Sequence, residues 1–427
     1  MRNAVTQLYY FILKQRARSS QLRITLLAGL LLLAGLPVGS VQAEQAPAGS
    51  LVIVGGGLRP DNAVVWQRMV ELAGGKGARI AIFPSAANLP ELAADSVLTN
   101  LNRYGAQAFV VPVSIRLENV DYRQAVKDPE LVHRVRNAGG VFFVGGDQGR
   151  ITKALLQDDG NPTPMLDAIW EMYRRGGMIG GTSAGAAIMS TTMFDNAQAV
   201  LPTLKLGVNE GKEIAPGLGF IGPDVFIDQH LLVRGRFARM LPAMLKKKYK
   251  MGLGVDENTA VLITKGSDVE VIGYKGALVL NLEQASNTPE LDGFNISNVR
   301  ISYLDQGDRF NLVSQVFTPS KEKENGRVRP SAAYNTDARF YPDILGNTTV
   351  VDLMQHLIDS RQDSTIGLSF GSQDSIMPSL GFEFRFSKVD DSVGYFSSAN
   401  GGEAYSVLNL RLDIRPIEMH LPLYHYR

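Results

Sequence analysis

Leu51-Val52-Ile53-Val54-Gly55-Gly56-Gly57 decides the fold: four aliphatic residues with no polar interruption, then three glycines. A run so short and so apolar reads as a strand buried on both faces, and the glycines as the turn that ends it. Trp66, Met69, Val70 and Leu72 follow as the apolar positions of an amphipathic helix. The alternation then repeats, with strands expected over 78–83, 108–113 and 140–144 and helices over 89–101 and 129–137. Short apolar strands separated by helices call for parallel pairing covered on both faces. The expected fold class is therefore α/β, a doubly wound and mostly parallel sheet.

From about Asn258 the texture changes. Apolar stretches at 261–263, 269–272, 278–280, 299–304 and 310–313 are separated by turns with no helices between them. They are expected to complete the same domain, residues 49–318, as an antiparallel extension. Residues 319–348, which begin Pro319-Ser320-Lys321-Glu322-Lys323-Glu324-Asn325-Gly326, read as a linker or long surface loop. Residues 349–427 read as a β-rich C-terminal α+β extension. They hold one helix over 350–358 and a strand in which Leu408, Leu410, Leu412 and Ile414 alternate with Asn409, Arg411, Asp413 and Arg415.

Upstream of the first strand, residues 1–43 carry Arg2, Lys14, Arg16, Arg18 and Arg23 and no acid. The run from Leu26 to Leu36 is too short to span a bilayer of about 30 Å comfortably, and Pro37 and Gly39 interrupt it. Val41-Gln42-Ala43 places small residues where a signal peptidase cuts. The reading is a secretory signal over 1–43 cleaved after Ala43, with a retained anchor as the alternative. It implies an exported chain, extracellular or periplasmic, with no stable membrane span after cleavage.

The 427 residues are 45% hydrophobic and 20% charged, enough for a sizeable core. The formal charge of +1 hides a difference: without 1–43, 38 basic residues face 42 acidic ones, a net of −4. Nucleic acid is therefore not an expected partner. With no cysteine, disulfides, thiolate metal sites and a thiol nucleophile are excluded. No metal-ligand cluster and no cofactor are expected. Gly55-Gly56-Gly57 does not make a dinucleotide fingerprint, because Pro60 stands where the third glycine belongs.

The chemistry is carried by Gly181-Thr182-Ser183-Ala184-Gly185, a G-x-S-x-G run between a short strand and a helix of small residues. A sharp strand-to-helix turn exposes the serine hydroxyl, and the glycines on either side remove side chains that would clash across it. A serine nucleophile needs a base. His230, at the end of the apolar run Val225-Phe226-Ile227-Asp228-Gln229, is the candidate among five histidines. The third member is a carboxylate. Asp256 and Glu257 both end the run Gly252-Leu253-Gly254-Val255, Asp228 is a more strained choice, and sequence physics leaves these open. The turn Val144-Gly145-Gly146-Asp147-Gln148 and the N–H of Ala184 can each supply half of an oxyanion hole. Arg234, Arg236 and Arg239 follow the base closely, and their guanidinium forks suit carboxylates.

These segments, in this order, resemble the cyanophycinases, serine peptidases related to aspartyl dipeptidase that share the flavodoxoid, class I glutamine-amidotransferase-like fold. The resemblance covers about residues 50–315, and the added tail and export signal make it like the longer secreted forms. It implies Ser183 as nucleophile, His230 as base and Glu257 as orienting acid. It places Gln148, Asp228, Gln229, Arg234, Arg236 and Arg239 along the substrate pocket, and the turn at Gly146 with Ala184, read above from the residues, remains the expected oxyanion hole. The implied substrate is cyanophycin, multi-L-arginyl-poly-L-aspartate, cut to β-Asp-Arg dipeptides. An aspartyl dipeptidase acting on short Asp-X peptides is the alternative. A homodimer is compatible with the sequence.

Overall fold

The structure is a computed structural model. It describes residues 49–427 except 197, 198, 330–332, 334–338, 400, 421 and 424–426. The expected signal over 1–43 lies outside the described residues.

The first half alternates as the sequence predicts: β1 (Ser50–Val54), α1 (Ala63–Leu72), β2 (Arg79–Phe83), α2 (Pro90–Arg103), β3 (Gln107–Val110), α3 (Tyr122–Ala125), α4 (Pro129–Arg136), β4 (Gly140–Phe143), α5 (Gln148–Leu155), α6 (Pro164–Arg174), β5 (Met178–Thr182) and α7 (Ala184–Ala187). Helix starts are written locally. Pro90, Pro129 and Pro164 stand at the first turns of α2, α4 and α6, where a missing N–H costs nothing. The Asp128 carboxylate accepts from Glu130 N–H and Leu131 N–H, and Asp147 accepts from Gly149 N–H. Each such cap is worth about 1 kcal/mol.

β1, β5, β4, β2 and β3 pair side by side in parallel. Successive side chains of each strand enter different cores. Leu51 and Ile53 pack with Phe83, Phe143 and the residues of α6, whereas Val52 and Val54 pack with Trp66 and Met69 of α1. This two-sided burial is why the strands read as unbroken apolar runs.

The second half runs β6 (Thr192–Phe194), α8 (Val200–Leu206), β7 (Ile214–Pro216), β8 (Val225–Gln229), α9 (Phe237–Lys247), β9 (Met251–Val255), β10 (Thr259–Thr264), β11 (Asp268–Gly273), β12 (Ala277–Asn281), β13 (Ile296–Leu304), β14 (Arg309–Asn311), β15 (Phe317–Thr318), α10 (Thr349–Ile358), β16 (Ser364–Ser369), β17 (Leu380–Ser387), β18 (Val393–Ser397) and β19 (Ala404–Glu418). Here the antiparallel extension expected from about Asn258 is found, but β12 and β13 leave the first sheet for a second one, which corrects the expectation of a single mostly parallel sheet. The first sheet has nine strands, and β10, β11, β14 and β15 extend it antiparallel beyond β1. A second sheet, β16-β17-β19-β13-β12-β9-β8, is antiparallel except for the pair β8–β9. The chain passes from the second sheet to the first at Asp256-Glu257-Asn258, between β9 and β10.

The tail is built into this second sheet. β19 pairs along β13, Ile296 opposite Ile414 and Ile301 opposite Leu410. Phe382, Phe384, Leu353 and Leu357 share a core with Phe226, Leu231 and Phe237. The expected linker is also anchored at its start. Lys323 is 1% exposed, with its ammonium 3.2 Å from Asp305 and 3.1 Å from Asp308.

Candidate active site

The carboxyl end of β1 holds the site together. Its last carbonyls take up three N–H groups from three other segments. Val54 accepts from Ser183 at 3.0 Å, Gly55 from His230 at 2.8 Å and Gly56 from Asn258 at 2.7 Å. The ends of β5, β8 and β9, two of them from the other sheet, are thereby brought to one point.

Ser183 sits at φ 54°, ψ −110°, between β5 and α7. A β-substituted residue there stores on the order of 1–3 kcal/mol of strain, which the surrounding packing must offset. A Cβ on Gly181 would stand 2.2 Å from the Gly185 carbonyl oxygen, and one on Gly185 2.4 Å from the Phe143 carbonyl oxygen of β4, so the bend requires the first glycine and the packing against β4 the second. His230 (φ 52°) and Asn258 (φ 54°) are also left-handed, so three strained non-glycine residues converge on the site.

The Ser183 hydroxyl lies 2.8 Å from His230 Nε2, and His230 Nδ1 lies 2.5 Å from Glu257 Oε1. With Nδ1–H donated to the carboxylate, Nε2 is left as the acceptor for the serine proton. Burial holds the imidazole below its usual 6.5. The Glu257 hydrogen bond and charge oppose that shift, and the charges of Arg234 and Arg236 reinforce it. The histidine is therefore neutral at pH 7, the state a base requires.

The neighbouring acid has a different task. Asp256 is fully buried; its Oδ1 accepts from Leu232 N–H (3.0 Å) and Val233 N–H (3.2 Å), and its other oxygen pairs with Lys275 at 2.7 Å. It ties the segment after His230 to the segment that carries Glu257. Of the three acids the sequence left open, Glu257 is the one against the imidazole.

The remaining expected residues divide. The Gly145–Gly146 turn adjoins the serine: a Cβ on Gly145 would lie 3.2 Å from that of Ser183. Ala184 is the first residue of α7. Gln148, half-buried at the start of α5, donates from Nε2 to the Phe194 carbonyl at 2.5 Å. Arg234 is exposed. Half-buried Arg236 donates from Nη1 to Gln229 O (3.0 Å) and Gln229 Oε1 (2.8 Å). Burial and the nearby charge of Arg239 bring its guanidinium down to about 10, still protonated at neutral pH.

Asp228 and Arg239 do not line an open pocket, which corrects that expectation. They are 1% and 4% exposed and meet as a bidentate pair, both bonds 2.7 Å. The guanidinium also lies 4.2 Å from the centre of the Phe194 ring. Their groups are consumed by each other, and they fix β8 to α9.

The glycines after β1 are site residues that motif reading left without a role. A Cβ on Gly56 would lie 2.2 Å from His230 Cε1, and one on Gly57 3.4 Å from Glu257 Oε2. The signal was present in the triple glycine, but its meaning lies in close approach to the base and acid and is visible only once β8 and β9 are in place. No group of three or more metal-binding side chains occurs among the described residues, and none of their helices is long and apolar enough to cross a membrane.

Residues 51–272 match the family model described as peptidase family S51. Among curated relatives, the cyanophycinase of Geminocystis herdmanii (strain PCC 6308) is 31% identical over 269 residues, 61% of this chain and 93% of that protein. The cyanophycinase of Nostoc sp. (strain PCC 7120) is 25% identical over 288 residues, 66% and 91% of the two chains. Among solved structures, a peptidase from an acI-B1 Actinobacterium aligns with a TM-score of 0.44 and 22% identity, covering 62% of this chain and 98% of its own.

Proposed function

The chain belongs to peptidase family S51, and on that premise we propose that it is an exported serine peptidase that degrades cyanophycin to β-Asp-Arg dipeptides. The observation that carries the mechanism is the hydrogen-bonded series Ser183–His230–Glu257.

Ser183 Oγ attacks the scissile carbonyl as His230 Nε2 takes its proton. Glu257 holds the imidazole by Nδ1–H and stabilises the imidazolium that forms. The tetrahedral oxyanion is received by the N–H groups of Gly146 and Ala184. Collapse breaks the peptide bond, the amine leaves with the proton from Nε2, and an acyl-enzyme remains on Ser183. Water then repeats the cycle, with His230 as its base.

Arg234 and Arg236 are read as the groups that receive substrate carboxylates and Gln148 as a polar contact of the same cleft, while buried Gln229, which accepts from Arg236 with both its oxygens, holds that guanidinium in place. Two half-buried or exposed guanidinium groups whose charge reaches the imidazole suit a polyaspartate-derived substrate with free carboxylates. The parallel strands are read as the flavodoxoid core. The nucleophile stands outside the carboxyl end of β5, where open α/β sheets place their sites.

Incubating the purified chain, from Glu44 onward, with insoluble cyanophycin and weighing the soluble product by mass spectrometry tests this. β-Asp-Arg is the expected product. Hydrolysis of Asp-Leu with no release from the polymer would assign it instead as an aspartyl dipeptidase. N-terminal sequencing of chain recovered outside the cytoplasm tests export, with Glu44 the expected first residue.

A further inference from the structure

The turn that carries Arg234 and Arg236 is held on one side by the site and on the other by the C-terminal tail. On the site side, Asp256 binds the N–H groups of Leu232 and Val233, and Arg236 N–H returns to Leu231 O at 2.8 Å. On the tail side, Gly235 is left-handed (φ 59°), and a Cβ there would stand 2.2 Å from the Leu345 carbonyl oxygen. The Leu345 backbone therefore rests directly on the residue between the two arginines. Thr348 N–H points to Leu232 O at 3.5 Å.

That tail loop is itself rigidly seated. Ile344 is fully buried, its N–H donates to Leu368 O at 2.9 Å, and Leu368 N–H donates to Tyr341 O at 2.8 Å. Gly367 of β16 leaves room for the Ile344 side chain, since a Cβ on it would come within 2.7 Å. Immediately afterwards Val350 and Val351 of α10 enter the core that contains Leu231, Leu232 and Phe237. The loop, α10 and β16 themselves lie beyond residues 51–272.

The geometry points to residues 341–349 as a brace that positions Arg234 and Arg236 for substrate carboxylates, acting through the Leu345–Gly235 contact. The tail thus takes part in substrate binding without touching the substrate. Leu345 and Ile344 are positioning residues, and the inference rests on the reading of the two arginines as substrate contacts. Physically, an arginine with many rotamers binds best when its backbone is fixed beforehand, because less freedom is lost on association.

The test uses the chain from Glu44 onward with two variants. Gly235→Ala introduces a methyl group against Leu345, and Ile344→Ala loosens the loop from the far side. Gly222→Ala is the control, a left-handed glycine (φ 93°) whose added Cβ meets nothing within 4 Å. We expect KM for a soluble cyanophycin fragment to rise roughly tenfold in both brace variants, with kcat within about twofold. The rate at which an organofluorophosphonate labels Ser183, which needs no substrate carboxylate, should stay within about twofold of the parent, and Gly222→Ala should leave all three quantities unchanged. Unchanged KM in both brace variants, or a rise in KM matched by an equal loss of labelling rate, would overturn the brace. Absence of labelling in an active parent would count against Ser183 as nucleophile and not against the brace, which the KM shift reports by itself. Should Ile344→Ala fail to fold, Gly235→Ala alone decides.

Discussion

Gly56 lies directly beneath the imidazole of His230, leaving no room for a side chain: a Cβ there would stand 2.2 Å from Cε1 and 2.7 Å from both ring nitrogens. Gly56 also has φ 121°, a backbone state that other residues adopt at a cost. The two facts together make it the position where the smallest change displaces the base.

Gly56→Ala is therefore expected to lower kcat/KM by roughly 100-fold, since moving the base by about 1 Å costs that much. Circular dichroism should remain native. Parental kinetics in the variant would show that the imidazole tolerates displacement.

Glu257→Gln keeps the size of the side chain but removes its charge. Loss of rate by about 10²–10⁴ is expected, smaller than the loss on removing the serine. The pH profile should move as well. The Glu257 hydrogen bond and charge raise the His230 pKa against burial, so without the charge the acid limb of kcat/KM should shift to lower pH. An unmoved limb would mean that His230 is not the titrating base.

Arg234→Ala should shift that limb the other way. The Arg234 charge depresses the imidazole pKa, so its removal moves the limb towards 6.5 and raises KM. The same linkage affects stability. The folded histidine binds its proton less readily than the unfolded one, so folding loses stability as pH falls from about 6.5 through the lower folded value. Raising the folded pKa in Arg234→Ala should narrow this window, which urea titrations at several pH values can measure. A limb that moved to lower pH would contradict the electrostatic assignment.

Arg239→Ala leaves the Asp228 carboxylate buried and unpaired. Breaking such a pair costs about 3–5 kcal/mol, so the expected result is a markedly lower denaturation midpoint. A variant of parental stability with only a raised KM would return Arg239 to the substrate pocket.

Much of this was legible in the sequence for physical reasons. The inner parallel strands β1, β2 and β4 are buried on both faces, which makes them apolar runs, and Ser183 stands in a turn that only glycine flanks permit. Other features depend on partners distant in the chain. The second sheet was hidden because β13 pairs with β19, Ile296 with Ile414, and alternation within β19 does not name its neighbour. Asp256 and Glu257 are adjacent and chemically alike, and only the positions of Leu232 and His230 show which acid meets which group. Arg239 read as a substrate-pocket residue because spacing does not reveal that it turns back onto Asp228, eleven positions earlier. Lys323, in a segment with the charge density of a solvated loop, is buried because Asp305 and Asp308 await it.

Whether hydrolysis runs through the hydroxyl of Ser183 is decided by Ser183→Ala assayed beside the parent on insoluble cyanophycin. Soluble β-Asp-Arg is expected from the parent, and a rate lower by at least about 10⁴-fold from a natively folded variant. Equal release by both proteins would contradict it.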